Sequence, residues 1–190
     1  MVTRLYLDGC SLTYGQGLKR QDSLGSLFNT RGGYQVIDNS RQGKSNMSIA
    51  FDAYQNFQNA DIFVLGFTYS SRFGLKYNDQ NLDFFTGFHG KGLALEPATL
   101  DIAHTEMYKY FYSVFGPPYS ENLSDMLIDT SISFLNSCNK KVLGFSWENR
   151  KTVRQLEYPM IGPNGRLDDG HLNVKGTEQL FDFLQNILNE

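Results

Sequence analysis

Asp61-Ile62-Phe63-Val64-Leu65-Gly66-Phe67 is a nearly continuous apolar run. A strand with one wet face alternates apolar and polar residues. A run without that alternation belongs to a strand covered on both faces, as in a parallel sheet. Working outward, Arg4 to Asp8, Tyr34 to Asp38 and Lys141 to Ser146 read as further strands. Helical spacing fills the gaps between them. Ser23 to Asn29 reads as a short helix closed by Gly32-Gly33, and Met47, Ala50, Phe51, Tyr54 and Phe57 form an apolar stripe. Tyr108, Phe111, Tyr112 and Phe115 repeat the period, and Pro117-Pro118 is expected to stop that helix. Leu123, Leu127, Ser131 and Phe134 follow, and Leu180, Phe181, Leu184, Ile187 and Leu188 end the chain as an amphipathic helix. Strand alternating with helix predicts an α/β fold: a mostly parallel sheet with helices on both faces. Ligands of such sheets lie beyond the carboxyl ends of the strands. Ser11 and Thr68 both follow strand ends, so both are expected in one crevice.

At 190 residues the chain suits one domain, read as 1–190, because no linker, repeat or low-complexity tract divides it. Net charge is -3 and no basic tract stands ready to neutralise phosphates, which argues against nucleic acid as a partner. Two cysteines, Cys10 and Cys138, make no disulfide framework, and Cys138 reads as a small core residue. No apolar run approaches the roughly 20 residues that cross a bilayer, and the N-terminus shows no signal segment. The expectation is a soluble, cytoplasmic protein without a membrane partner. Export without a signal and assembly into a phage or other particle stay open, as does the oligomeric state. Residues 73 to 97 break the rhythm with Phe84-Phe85-Thr86-Gly87-Phe88-His89-Gly90. So long a connection is a β-hairpin or lid on the surface, or a wall of rings lining a pocket.

The chemistry sits at the two ends of the chain. Gly9-Cys10-Ser11-Leu12-Thr13-Tyr14-Gly15 follows the first strand, and Asp168-Asp169-Gly170-His171-Leu172-Asn173 comes near the C-terminus. A serine hydroxyl is a poor nucleophile until a base takes its proton, and the base must be oriented by a third group. Ser11, His171 and Asp168 supply these parts, with Asp169 as a neighbour able to serve instead of Asp168. Gly43 follows the second strand, where its backbone can approach a ligand and adopt positive φ. The Ser11 and Gly43 amides then converge on one oxygen. Arg72 is a candidate clamp for a substrate anion, against a solvated surface charge. Cys10 precedes the nucleophile position and alternation turns it away from Ser11. His89 and His104 look incidental, and no His/Cys cluster suggests a metal. Gly43-Lys44-Ser45 mimics the end of a P-loop, but Asp38 stands where the first glycine belongs. No Gly-x-Gly-x-x-Gly follows the first strand, so no cofactor is expected.

On these blocks the chain resembles the SGNH, or GDSL-like, hydrolases. Gly9 to Gly15 is close to the Gly-Cys-Ser-Phe-Thr-Tyr-Gly variant of bacterial and phage relatives. The resemblance implies a flavodoxin-like three-layer α/β/α sandwich with Ser11 as nucleophile. It also implies Gly43 as an oxyanion amide and Asp168 and His171 as the Asp-x-x-His block. The family's Gly-x-Asn-Asp block departs here to Gly66-Phe67-Thr68-Tyr69, which leaves Thr68 as a hydroxyl donor in place of Asn. Losing such a donor costs about 10²–10³ in rate. The implied function is a serine esterase acting on a small-molecule or carbohydrate ester, an O-acetyl group among them, through a covalent acyl-enzyme. Transfer to another acceptor uses the same residues. The alternative is a catalytically weak SGNH-fold module that binds a glycan or a protein.

Overall fold

The computed structural model describes residues 2–70, 72–77, 80–85, 102–148 and 156–190, with 73–77, 80–85 and 102–118 as backbone. In chain order the elements are β1 (Arg4–Gly9), α1 (Ser11–Tyr14), α2 (Leu24–Thr30), β2 (Gln35–Asp38), α3 (Asn46–Gln55) and β3 (Ile62–Phe67). They continue with β4 (Arg72–Tyr77), β5 (Gln80–Phe85), α4 (Ile102–Ser137), β6 (Lys141–Ser146), β7 (Leu156–Glu157) and α5 (Val174–Asn189). Five strands form one sheet in the order β2-β1-β3-β6-β7, and every pairing in it is parallel. β3 is central and buried along its whole length, as its unbroken apolar run requires.

Strand alternation sorts the core into two halves. Leu5, Leu7, Val64 and Phe145 face α2 and α5, where they meet Leu24, Phe28, Leu180 and Leu184. Tyr6, Phe63, Leu65 and Phe67 face the other way, onto Ile49 and Ala53 of α3 and Ile128, Ile132 and Leu135 of α4. The result is the three-layer α/β/α sandwich. Each apolar side chain sealed in this way contributes about 1.5–3 kcal/mol.

Four details differ from the sequence reading. The apolar stripe of α3 is out of phase: Ile49, Ala50 and Ala53 are buried, while Phe51 and Tyr54 are 41% and 57% exposed. Small residues let this helix lie close to the sheet, and the large rings stay at its rim. One helix, α4, runs through Pro117-Pro118, where a stop was expected. Packing of Ile128, Ile132 and Leu135 outweighs the local cost of the prolines, about 3 kcal/mol for one inside a helix. β7 has two residues, too few for any periodicity, and Cys138 is half-buried rather than in the core. Within 73–97, β4 and β5 form the antiparallel hairpin anticipated for this stretch. The aromatic wall lies outside the described residues, as do His89 and residues 86–97. Among the described residues, no helix is long and apolar enough to cross a membrane.

Candidate active site

β1 ends against the backbone of β3, with Gly9 paired to Gly66. A Cβ on Gly9 would stand 2.2 Å from Thr13 Oγ1, and one on Gly66 would stand 2.3 Å from the same atom. Two glycines thus let the side chain of Thr13 settle on the strand ends. That contact turns the chain sharply into α1 and sets Ser11 at its first position. Cys10 precedes it as the N-cap, fully buried, with its carbonyl accepting from the Tyr14 amide at 2.9 Å. No thiol nucleophile is presented there. Ser11 is itself 4% exposed.

His171 arrives from the far end of the chain on a tightly held loop. The Leu167 amide donates to the His171 carbonyl at 2.7 Å, and the Gly170 amide to the Leu167 carbonyl at 2.9 Å. Arg166 Nη1 donates to the Gly170 carbonyl at 2.8 Å. Leu172 is buried, and Asn173 caps α5 by accepting from the Gly176 amide at 3.0 Å. With both neighbours anchored, the imidazole has one direction to take. Its Nε2 lies 3.1 Å from Ser11 Oγ, across 160 residues of sequence.

Nδ1 of the same ring is 3.0 Å from Asp169 Oδ2. The neighbour of the expected Asp168 therefore stands at the ring, and among the described contacts none joins Asp168 to His171. The local turn explains this: Asp169 Oδ1 accepts from the His171 amide at 3.0 Å, which folds that carboxylate back on the imidazole. The His171 backbone amide, with the ring close by, holds the Asp169 carboxyl below the usual carboxylate range. The Nδ1 contact is close but off the ring N–H direction, so it is an ion-pair approach rather than a formed hydrogen bond.

Gly43 has φ 72°, the left-handed turn that favours glycine, just before α3. Thr68 and Arg72, the other two expected residues, both contact the segment Lys44 to Asn46 that follows Gly43. Thr68 is fully buried, and its backbone is bracketed by one amide side chain. Its N–H donates to Asn46 Oδ1 at 2.6 Å, and its carbonyl accepts from Asn46 Nδ2 at 2.9 Å. These two bonds tie the end of β3 to the first turn of α3. Arg72 Nη1 reaches the Lys44 carbonyl at 3.5 Å, and its guanidinium lies 5.9 Å from the Tyr69 ring centroid. Neither contact brings it to Ser11 or His171.

Sequence reasoning passed over a buried polar cluster beneath the site. Lys44 Nζ lies 2.6 and 2.7 Å from the two oxygens of Asp8 and 2.7 Å from Asp52 Oδ2. It also donates to the Asn39 carbonyl at 3.2 Å. Tyr6 donates to Asp8 Oδ2 at 2.9 Å, and Asn39 Nδ2 to the Tyr6 hydroxyl at 2.8 Å. Burial pushes Asp8 up to about 6, although Lys44 and Tyr6 pull it down. Burial, reinforced by the nearby Asp8, drives the Tyr6 hydroxyl far above the usual tyrosine range, so it remains a donor. The signal was an aspartate in an otherwise apolar strand, since a buried charge demands a partner. Lys44, whose motif mimics a phosphate loop, spends its ammonium on these carboxylates.

Among the described residues no cluster of His, Cys, Asp or Glu suits a metal ion. A groove of about 720 Å³ runs beside α1 and β2, lined by Tyr14, Arg20, Ser23, Asn29, Asp38 and Ser40 among others. Neither Ser11 nor His171 lines it.

A scan of family models and a search of curated proteins match nothing. Solved structures do match. "Crystal Structure of TesA" aligns with TM-score 0.59 at 10% identity, covering 97% of this chain and 97% of that one. The chain shares the three-layer α/β/α fold of that structure. The psychrotrophic esterase EstA from Pseudoalteromonas sp. aligns with TM-score 0.54 at 11% identity, covering 99% of this chain and all of that one. The acetyl xylan esterase Est2A from the rumen bacterium Butyrivibrio proteoclasticus gives 0.56 at 9% identity, covering 98% of this chain and 64% of that one. The shared fold sets the carboxyl ends of β1, β2 and β3 on one side, which is where Ser11, Gly43 and Asn46 stand.

Proposed function

We propose that the protein is a serine ester hydrolase of the SGNH type, with Ser11 as nucleophile, His171 as base and Asp169 as the orienting carboxylate. The observation that carries this reading is the 3.1 Å approach of His171 Nε2 to Ser11 Oγ. Hydrogen-bond reach between nucleophile and base is the first geometric requirement of acyl transfer. Nε2 takes the Ser11 proton as Oγ bonds to the ester carbonyl carbon. The carbonyl oxygen becomes an oxyanion held by the Ser11 and Gly43 amides. His171 returns the proton to the departing alcohol and leaves an acyl-enzyme. Water, deprotonated by the same imidazole, then releases the acid and restores Ser11.

The substrate is an ester of a hydroxylated, carbohydrate-like alcohol. The observation that supports this class is the acetyl xylan esterase among the structural neighbours. Arg72 and Thr68 have no step in this scheme, and Asp168 gives way to Asp169. The test is stoichiometric labelling of Ser11 by a fluorophosphonate, together with turnover of p-nitrophenyl acetate. Both are expected in the wild type and neither in Ser11→Ala. A protein that binds acetylated oligosaccharide yet shows neither label nor turnover is the glycan-binding module instead. The off-axis Asp169 contact is the feature that favours that second reading.

A further inference from the structure

Gly43 to Asn46 crosses the ends of three strands, and the chain around it is tied down repeatedly. The Asn39 amide donates to the Leu7 carbonyl at 2.8 Å and the Arg41 amide to the Gly9 carbonyl at 3.1 Å. Lys44 then drops beneath the loop, fully buried, onto Asp8, Asp52 and the Asn39 carbonyl. Ser45 caps α3 by accepting from the Ser48 amide, and Asn46 brackets Thr68 at the end of β3. Asp8 completes the knot, because its Oδ1 also accepts from the Gly9 amide at 2.7 Å. One carboxylate thus holds the ammonium that follows Gly43 and the backbone two residues before Ser11.

Stability alone accounts poorly for this arrangement. Moving each ion out of water costs several kcal/mol, and well-packed apolar residues in place of a buried ion pair are often neutral or stabilising. Geometry accounts for it better. Oxyanion donors act only when they are aimed in advance, and one misplaced donor costs about 10²–10³ in rate. A glycine turn with positive φ is a flexible support for such a donor unless it is pinned from below.

We propose that Lys44 is a positioning residue: held by Asp8, Asp52 and the Asn39 carbonyl, it fixes the Gly43 amide relative to the Ser11 amide. This rests on the esterase reading, since it assigns those amides to the oxyanion. Lys44 touches no substrate. Its effect falls on the transition state, in which the oxyanion exists, and not on ground-state binding.

The test compares Lys44→Met, the double variant Asp8→Asn/Lys44→Met, and Asp52→Asn. The double variant keeps the formal charge of the cluster at -1, one ammonium and two carboxylates becoming Asp52 alone. It therefore tolerates burial where Lys44→Met, with two carboxylates left without their ammonium, is expected to unfold at lower temperature. For the folded double variant, kcat on p-nitrophenyl acetate and the rate of fluorophosphonate labelling should both fall about 10- to 100-fold, with KM within about twofold. Asp52→Asn removes the most exposed partner and should lower kcat severalfold at unchanged KM, so it carries the test if the double variant does not fold. A folded variant with wild-type kcat and labelling rate, or one changed only in KM, overturns the proposal and leaves the esterase reading intact. A wild-type protein that takes no label and turns over no ester defeats both readings, and it does so before any variant is made.

Discussion

α5 and α3 flank the sheet on opposite faces, yet their sequences obey opposite rules. In α5 the buried positions include Leu180, Phe181, Leu184 and Leu188, and beyond Thr177 in the first turn no polar residue is buried. In α3 Asn46 and Ser48 are buried with Ile49, Ala50 and Ala53, while Phe51 and Tyr54 look toward solvent. The first helix only covers a core, so burial of apolar area decides its pattern. The second begins at the crevice, and its first turn must hold β3 through Asn46. Polar groups are buried there because each finds a partner, and small residues allow the close approach that makes the partners reachable. A departure from amphipathic order marks the helix that builds the site.

That contrast can be broken by substitution. Leu184→Ala in α5 should cost about 2–5 kcal/mol through the cavity it leaves. The activity of the remaining folded molecules should be unchanged; chemical denaturation alongside active-site titration measures both, and a lowered kcat per labelled site would contradict the division of labour. Asn46→Ala in α3 should cost less, about 1–3 kcal/mol for stranding the Thr68 N–H and C=O. Here kcat should fall as well, because the end of β3 is released. Equal losses of stability with no change in kcat would make α3 an ordinary covering helix.

A pH experiment sharpens the same comparison at the base of the site. Asp8 has its folded value raised from 3.8 to about 6, chiefly by burial. A raised carboxyl favours the folded state fully below the unfolded value, and this contribution is lost as pH rises through about 6. The stability of wild type relative to Asp8→Asn should therefore decline from pH 4 to pH 6 and level off above, as read by denaturation midpoints at each pH. A flat difference would mean that Lys44 compensates the burial completely. Asp169, lowered chiefly by the His171 amide and exposed to solvent, has the opposite sign: its small contribution is present above the unfolded value and fades only as pH falls through the lower folded one. The smallest effect belongs to Phe51→Ser, about 1 kcal/mol or less, since a ring 41% exposed has little left to lose. A loss as large as that of Leu184→Ala would put an unseen partner on that face.

Much of the architecture was legible. The unbroken run of β3 announced a strand covered twice, and the spacing from Leu180 to Leu188 announced α5. The helix through Pro117-Pro118 was hidden because tertiary packing overrode a local signal, and β7 was hidden because two residues have no period. At the site, Ser11, His171 and Gly43 were readable as residue types that acyl transfer needs. Whether Asp168 or Asp169 lies against the His171 ring was left open, since it turns on one backbone bond within that loop. The contacts of Thr68 with Asn46 and of Arg72 with the Lys44 carbonyl were not legible either, because they join segments more than 20 residues apart.

The linear chain determined periodicity, and periodicity is enough to order strands and helices, because burial of alternating or helical faces is a local pattern with a global reward. It also determined which reactive groups exist. Only the tertiary structure decided which of them meet. The 3.1 Å between Ser11 and His171 spans 160 residues, and the ammonium of Lys44 finds Asp8 36 residues away. Distances of that kind are set by how layers stack, and no stretch of sequence contains them.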